Sequence, residues 1–466
     1  MFVFDFKGLP NVNEYVELIK MFLRPSEFAV LSADGPTGHA AAGGGRRLWA
    51  LPEVMADGAG GVVDKNAVKR DIFDFLRDSV LNPPEWGILT GVRPVKLFGE
   101  LSRRGGGAEG AETALKRDYY LSDSKISLLR EIYLLQRERA PAPEPGTVGV
   151  YVGIPFCPTR CEYCSFPSNQ VKYDKIAPYL AALEREARFV AAGMAGCGLS
   201  AESLYLGGGT PTTLNGRDFA YLLDLLGTLF ASPKLREFTV EAGRPDTIDR
   251  EKLRAMKSHG AGRLSVNPQS MNDAALRRIG RAHSREDVER AFALARDEGV
   301  ETVNSDVIAG LPEETLEDFR GTMDGILALA PENVTVHALA LKRAARLAEQ
   351  DAEYHYGRGE AARGMMAAAR ESLAGAGYKP YYLYRQKQMA GNLENVGYAR
   401  DGRVCLYNVR IMEENQTIVA LGAGASTKVF YPEEGRLERI FNVSNYEEYI
   451  GRIEEMLDRK RGRLFG

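Results

Sequence analysis

Three cysteines, Cys157, Cys161 and Cys164, lie within eight residues, directly after an apolar run that ends at Ile154. Their spacing is C-x3-C-x2-C. Three thiolates can hold three irons of a [4Fe–4S] cluster and leave the fourth iron open to an exogenous ligand. A structural zinc site closes with four ligands, usually as two separated pairs. No histidine or fourth cysteine lies close enough in sequence to complete one, since Cys197 and Cys405 are far off. A disulfide would leave one of the three crowded thiols unpaired. The pattern therefore predicts an iron–sulfur centre with one open coordination position.

The elements that must position these thiols are legible around them. Val148–Ile154, Ser203–Leu206, Glu237–Glu241, Arg263–Val266, Thr302–Ile308 and Asn333–Leu339 are short strand-like runs. Helix-length amphipathic segments separate them, among them Tyr173–Ala192, Arg217–Leu229 and Arg285–Glu298. Successive strand–helix units predict a parallel sheet curved into a partial (β/α)6 barrel, with chemistry on the loops after the strands. The cysteine loop follows the first strand and Gly207-Gly208-Gly209-Thr210 the second. Glu241 closes the third, Gln269 follows the fourth, and Asp306 lies toward the end of the fifth.

Each of these has an ordinary reading as well. The glycine run lacks the Lys-Ser/Thr of a phosphate loop, and it is either a tight turn or a place where backbone approaches a ligand. Glu241 and Asp306 end apolar strands, where an unpaired carboxylate is costly, so each needs a ligand donor or an internal partner. Arg281 could receive a carboxylate through its planar fork. His283 and His337 receive no role from sequence. Arg93 and Lys96 flank Pro94, which is placed to start a helix, either an anion site or a capped surface helix.

The chain has 466 residues, 44% hydrophobic and 26% charged, with a net charge of -3. This suits a globular protein of two or three domains and gives no global attraction to nucleic acid or anionic membrane. We expect an N-terminal accessory α/β domain over 1–145, the barrel over 146–345 and a smaller C-terminal region over 346–466. The Pro-rich run 140–146 marks the first boundary. Ala40–Arg46 and Gly105–Glu112 read as loops, the opening MFVFDF as a strand, and Lys65–Leu81 and Ser122–Arg139 as helices. The last residues are expected to cover the open side of the barrel and to end in a helix over Asn445–Lys460. Five cysteines, three of them clustered, point to metal use in a reducing compartment. No stretch is apolar for the ~18 residues of a membrane span, and the opening lacks a basic leader, so a cytoplasmic location is expected.

At the cysteine segment, with Tyr163 as the aromatic residue before Cys164, the chain resembles the radical S-adenosylmethionine (SAM) enzymes. That resemblance implies SAM chelated to the open iron and its one-electron cleavage to methionine and a 5′-deoxyadenosyl radical. YVGIPFCPTRCEYCSF, LYLGGGTPTTL, FTVEAGRPDTI, the stretch from Gln269 to Ser284 and NSDVIAGLPEET are together similar to the oxygen-independent coproporphyrinogen III oxidase family. EAGRPD, YLYRQKQMAGNLENVGY and WGILTGVRP resemble its HemZ branch.

The resemblance implies an oxidoreductase of haem biosynthesis. It would decarboxylate propionates of coproporphyrinogen III to vinyls, giving protoporphyrinogen IX, with an electron donor such as flavodoxin or ferredoxin. By motif it makes Cys157, Cys161 and Cys164 the metal ligands. Gly208, Gly209, Thr210, Glu241, Gln269, Arg281, Asp306 and Ala338 become cofactor contacts, and Tyr151 a residue bordering substrate and SAM. Arg93, Lys96, Arg385 and Lys387 are candidate cations for the propionates. The departures, Gly153 for the family's histidine and Asn267-Pro268 before Gln269, bear on the substrate rather than the SAM site. A haem-binding chaperone on the same fold is the alternative, since Leu421–Ala425 resembles its Gly-rich segment. However, Gly391–Tyr398 lacks the chaperones' His-Asn-x-x-Tyr-Trp signature. Radical chemistry on another substrate, such as a methyl transfer, is a third reading.

Overall fold

The computed structural model describes residues 1–7, 9–32, 35–37, 47–50, 64–91, 93–164, 169–170, 173–340, 345–347, 357–386 and 389–465. Six parallel strands follow one another in sequence and in space: β5 (Thr147–Ile154), β6 (Ser200–Gly208), β7 (Glu237–Glu241), β8 (Arg263–Ser265), β9 (Thr302–Ala309) and β10 (Asn333–Ala338). The sheet curves without closing, a partial barrel. Val148, Val150, Val152 and Ile154 alternate along β5 and are all buried, so one face packs under helices while the other faces the barrel interior. The helices begin on side-chain caps. Asn215 accepts from the Asp218 amide and Asp249 from the Lys252 amide, and Ser284 and Thr315 form capping boxes with Asp287 and Asp318. Each cap ends the preceding βα loop at a defined point, which fixes the loops that carry the site.

The first residues build a separate four-stranded sheet, in the order β3-β2-β1-β4, from β1 (Phe2–Asp5), β2 (Phe28–Ser32), β3 (Gly35–Thr37) and β4 (Arg47–Ala50). Helices Val12–Ile19 and Lys65–Arg77 accompany it, and Phe4, Phe6, Tyr15 and Trp49 fill its core. Glycine-rich Gly105–Glu112, expected to be a loop, is helical from Gly107 to Tyr119. Gly106 supplies the left-handed entry, with φ 74°, and Ala108, Glu109, Ala111 and Glu112 are helix formers that offset the roughly 1 kcal/mol cost of Gly110. Ala40–Arg46 lies outside the described residues.

The C-terminal elements extend both sides of the six-stranded unit. β12 (Asn395–Ala399) pairs antiparallel with β10, and β11 (Lys379–Tyr384) pairs outside it. β13 (Ile418–Leu421) pairs parallel with β5, followed by β14 (Ser426–Tyr431) and β15 (Arg436–Phe441), giving eleven strands in all. Helix Leu406–Glu413 packs against β6 and β11, and its Tyr407 ring stacks on Tyr205 at 4.3 Å between centroids. Two buried ion pairs lock this region to the barrel. Arg410, fully buried, meets Glu202 of β6 through two 2.9 Å hydrogen bonds, and Lys460 meets Glu186 at 2.7 Å. The terminal helix is not continuous: Tyr446–Gly451 and Ile453–Leu464 break at Arg452.

Candidate functional site

At the C-terminal ends of the barrel strands lies a cavity of about 280 Å3. Cys157, Cys161 and Cys164 form one wall. Their loop leaves β5 at Pro155 and is held by backbone at three places. The Cys157 amide donates to the Asn169 carbonyl (3.2 Å), the Glu162 amide to Ile279 (3.0 Å), and the Gly209 and Thr210 amides to Ile154 and Phe156 (2.7 Å each). The second βα turn is thereby stitched to the cysteine loop. Gly209 is where they approach most closely: a Cβ there would sit 2.5 Å from the Phe156 carbonyl oxygen and 2.9 Å from Cys157 Sγ. Gly208 takes a φ of 110°, which side chains rarely adopt. Thr210 Oγ1 lies 3.5 Å from Cys157 Sγ, and burial pushes that thiol up to about 11.

Around the thiols the structure gathers most of the polar residues singled out by sequence. Gly208, Gly209, Thr210, Glu241, Gln269, Arg281, Asp306 and Ala338 all line this cavity. Glu241 accepts from the Tyr205 hydroxyl at 2.6 Å and from the Gly208 amide at 3.1 Å. Burial, with Asp306 adding to it, pushes the Glu241 carboxyl up to about 7 against those two hydrogen bonds. Burial would raise Asp306 too, but hydrogen bonding to His337, Asn304 and Thr335 holds it below the usual carboxylate range.

Arg281, 6% exposed, donates to the Asn267 carbonyl (2.8 Å) and the Gly243 carbonyl, and its Nε has no partner among the described residues. Gln269, at a φ of 72°, likewise keeps a buried Oε1 without a partner among the described residues.

Other expected residues stand outside the lining of this cavity. Tyr151 does not line the cavity; it stands deeper in the barrel interior, its ring stacked 6.2 Å from Tyr205 and 6.1 Å from Tyr407. Burial, followed by the Glu241 charge, raises its phenol above the ordinary value. Arg93 and Lys96 pair with Glu414 at 2.9 and 3.2 Å and line a separate cavity. Arg385 is buried over the Trp86 ring and donates to the Leu89 and Asn392 carbonyls. Lys387 lies outside the described residues. None of the three described cations reaches the cysteine-lined cavity.

Further residues that the sequence did not mark as functional line the cavity. Arg244, three residues beyond the end of the strand at Glu241, is 2% exposed and clamps Asp246 at 3.0 Å. His337 and Tyr384 face the cavity from β10 and β11, and Asn395 from β12. Alternation along strand six was the available signal for His337. The antiparallel return of β11 and β12 left no such signal for the others.

A Radical SAM superfamily family model matches residues 151–326. The oxygen-independent coproporphyrinogen-III oxidase-like protein HemZ of Bacillus subtilis is 37% identical over 403 residues, covering 85% of this chain and 80% of that protein. The chain belongs to this HemZ-type radical SAM family. The heme chaperone HemW of Bacillus subtilis is 36% identical over 193 residues, 41% of this chain and half of its own length. Among solved structures, coproporphyrinogen III oxidase (HemN) from Escherichia coli has a TM-score of 0.53 at 23% identity, over 70% of this chain and 73% of that one, a likeness of fold.

Radical SAM family membership brings a [4Fe–4S] cluster and SAM as cofactors. The residues present fit them. Among the described residues no three His, Cys, Asp or Glu side chains converge on a single ion. The three thiols on one cavity wall instead suit three separate irons of a cluster. Gly208 and Gly209 line the cavity beside the thiols, and Arg281 Nε and Gln269 Oε1, unpartnered among the described residues, leave hydrogen-bonding capacity there.

Proposed function

We propose that the protein oxidatively decarboxylates propionate side chains of coproporphyrinogen III to vinyl groups, within haem biosynthesis. The observation that carries this is the convergence of Cys157, Cys161 and Cys164 with Arg281, Glu241 and Asp306 on one cavity, in a chain related to HemZ along 85% of its length. The cluster and SAM, when bound, supply a carbon-centred radical able to abstract an unactivated hydrogen.

The chain's own residues do the rest. The three cysteines hold the irons. The backbone of Gly208–Thr210 admits the methionyl end of SAM, whose carboxylate Arg281 receives and whose amino group or ribose Glu241 holds. Asp306, Gln269 and Ala338 complete that pocket. A reduced flavodoxin or ferredoxin is the class of donor that would charge the cluster, and a one-electron acceptor would take the electron released with CO2 as each vinyl group forms. Tyr151, whose ring stacks on those of Tyr205 and Tyr407, is the residue we place at the border of substrate and SAM.

The test is an anaerobic assay of the reconstituted protein with SAM, reductant and coproporphyrinogen III. Protoporphyrinogen IX, with methionine and 5′-deoxyadenosine, is expected. Deoxyadenosine without decarboxylation would exclude this substrate, and stable haem binding without turnover would favour the chaperone activity that the HemW relatives are named for.

A further inference from the structure

A substrate that reacts at a propionate must be gripped by its carboxylate, yet Arg93, Lys96 and Arg385 are spent elsewhere. The cavity has two unlike walls. On the cysteine side stand Arg244, committed to Asp246 and Thr159, and Arg281, which the reading above gives to the SAM carboxylate, both nearly fully buried. On the opposite side, formed by the ends of β10, β11 and β12, no lysine or arginine among the described residues lines the cavity. The groups there that can donate to an anion are His337, Tyr384, Gln386 and Asn395.

Asp306, His337 and Tyr384 lie on three strands in a row across the cavity. His337 Nε2 is 3.5 Å from Asp306 Oδ2, and its Nδ1 is 3.4 Å from the Tyr384 hydroxyl. Both contacts are at the long limit of hydrogen bonding, so neither holds its groups tightly. The His337 side chain remains 25% exposed, toward the cavity. Asp306 is separately satisfied by Asn304 Nδ2 at 2.8 Å.

We propose that His337 and Tyr384 form the subsite that receives the reacting carboxylate of the substrate, an inference that rests on the decarboxylation reading above. With both ring nitrogens protonated, Nε2 donates to Asp306 and Nδ1 turns from Tyr384 to the incoming carboxylate. The freed Tyr384 hydroxyl donates to the same carboxylate. The imidazolium then lies between two carboxylates, which avoids leaving a second buried anion unpaired beside Asp306. Two donors on adjacent strands also fix the direction in which the side chain enters, toward the cysteine wall.

The test measures binding, not turnover. Coproporphyrin III, the fluorescent tetracarboxylate, is titrated into the reconstituted protein and into His337→Gln and Tyr384→Phe, with its uncharged tetraamide as a control and SAM titrated in parallel. Each substitution should weaken coproporphyrin III binding about tenfold or more, the loss expected for one charge-assisted hydrogen bond. Tetraamide and SAM affinities should stay within about twofold. Unchanged tetracarboxylate affinity in both variants overturns the subsite, as does a loss of SAM affinity instead, which would place the pair in the SAM pocket. Failure of the unsubstituted protein to bind coproporphyrin III at all would overturn the substrate reading itself. Circular dichroism checks folding, and if His337→Gln does not fold, Tyr384→Phe, which removes a single oxygen, decides alone.

Discussion

Gly209→Ala should cost the protein its cluster while leaving the fold intact. The added methyl would lie 2.5 Å from the Phe156 carbonyl oxygen and 2.9 Å from Cys157 Sγ. Comfortable non-bonded contact needs about 3.5–4.0 Å, so the sulfur or the turn must retreat by roughly 1 Å. Neither can move alone, because the Gly209 amide bonds Ile154 and the Thr210 amide bonds Phe156, each at 2.7 Å. Overpacking of this kind costs about 1–3 kcal/mol, which a core of this size survives. A ligand set, however, must be held within about 0.5 Å of its working geometry. After anaerobic reconstitution, Gly209→Ala should show wild-type circular dichroism with iron, sulfide and visible absorbance reduced by more than half. Gly196→Ala, where nothing lies within 4 Å of the added methyl, is the matched control and should load normally. Full iron content in Gly209→Ala would refute the stitching of the glycine turn to the cysteine loop.

Replacing Cys157, Cys161 or Cys164 with Ala should abolish or degrade the cluster, whereas Cys197→Ala, at an exposed position, should keep full iron content by chemical analysis. Arg281→Ala should retain the cluster's absorbance but weaken SAM binding about 10–150-fold in equilibrium titration, the range for a charge-assisted hydrogen bond. Glu314 is 2% exposed, and burial pushes its carboxyl from 4.5 up to about 7 despite the Ser270 hydrogen bond. Its folded value is the raised one, so its contribution is favourable below pH 4.5 and is lost as pH climbs through 7. Urea melts of Glu314→Gln should therefore lack about 3 kcal/mol of the stability loss that the wild type shows between those pH values, and parallel curves would contradict it. Arg410→Met should destabilise by about 3 kcal/mol, because it leaves the buried Glu202 carboxylate with only Gln416 and the half-exposed Arg236 as partners; an unchanged melting temperature would contradict this.

The barrel was readable because each strand is a short apolar run punctuated by a helix with its own cap. Thr302–Ala309 and Asn333–Ala338 fall within a residue of the runs expected for them. The polar residues at the strand ends stood out for the same reason: Glu241 and Asp306 interrupt apolar runs at the ends where ligands gather. What could not be read was pairing at a distance. Nothing in Ile418–Leu421 announces that it lies parallel to β5, or that Tyr384 returns antiparallel to face a cavity whose cysteines lie more than two hundred residues earlier. Motif position gave the strand of Tyr151 but not its depth along that strand. The cations Arg93 and Arg385 looked available until the structure showed Glu414 beside the first and Trp86 beneath the second.

The central claim is that this cavity brings a propionate side chain under radical attack at its β-carbon. Coproporphyrinogen III deuterated at the propionate β-positions tests it most directly, incubated anaerobically with the reconstituted protein, SAM and reductant. One deuterium in the 5′-deoxyadenosine is expected for each vinyl group formed. Deoxyadenosine free of deuterium, in the presence of the intact cluster and bound substrate, would contradict it.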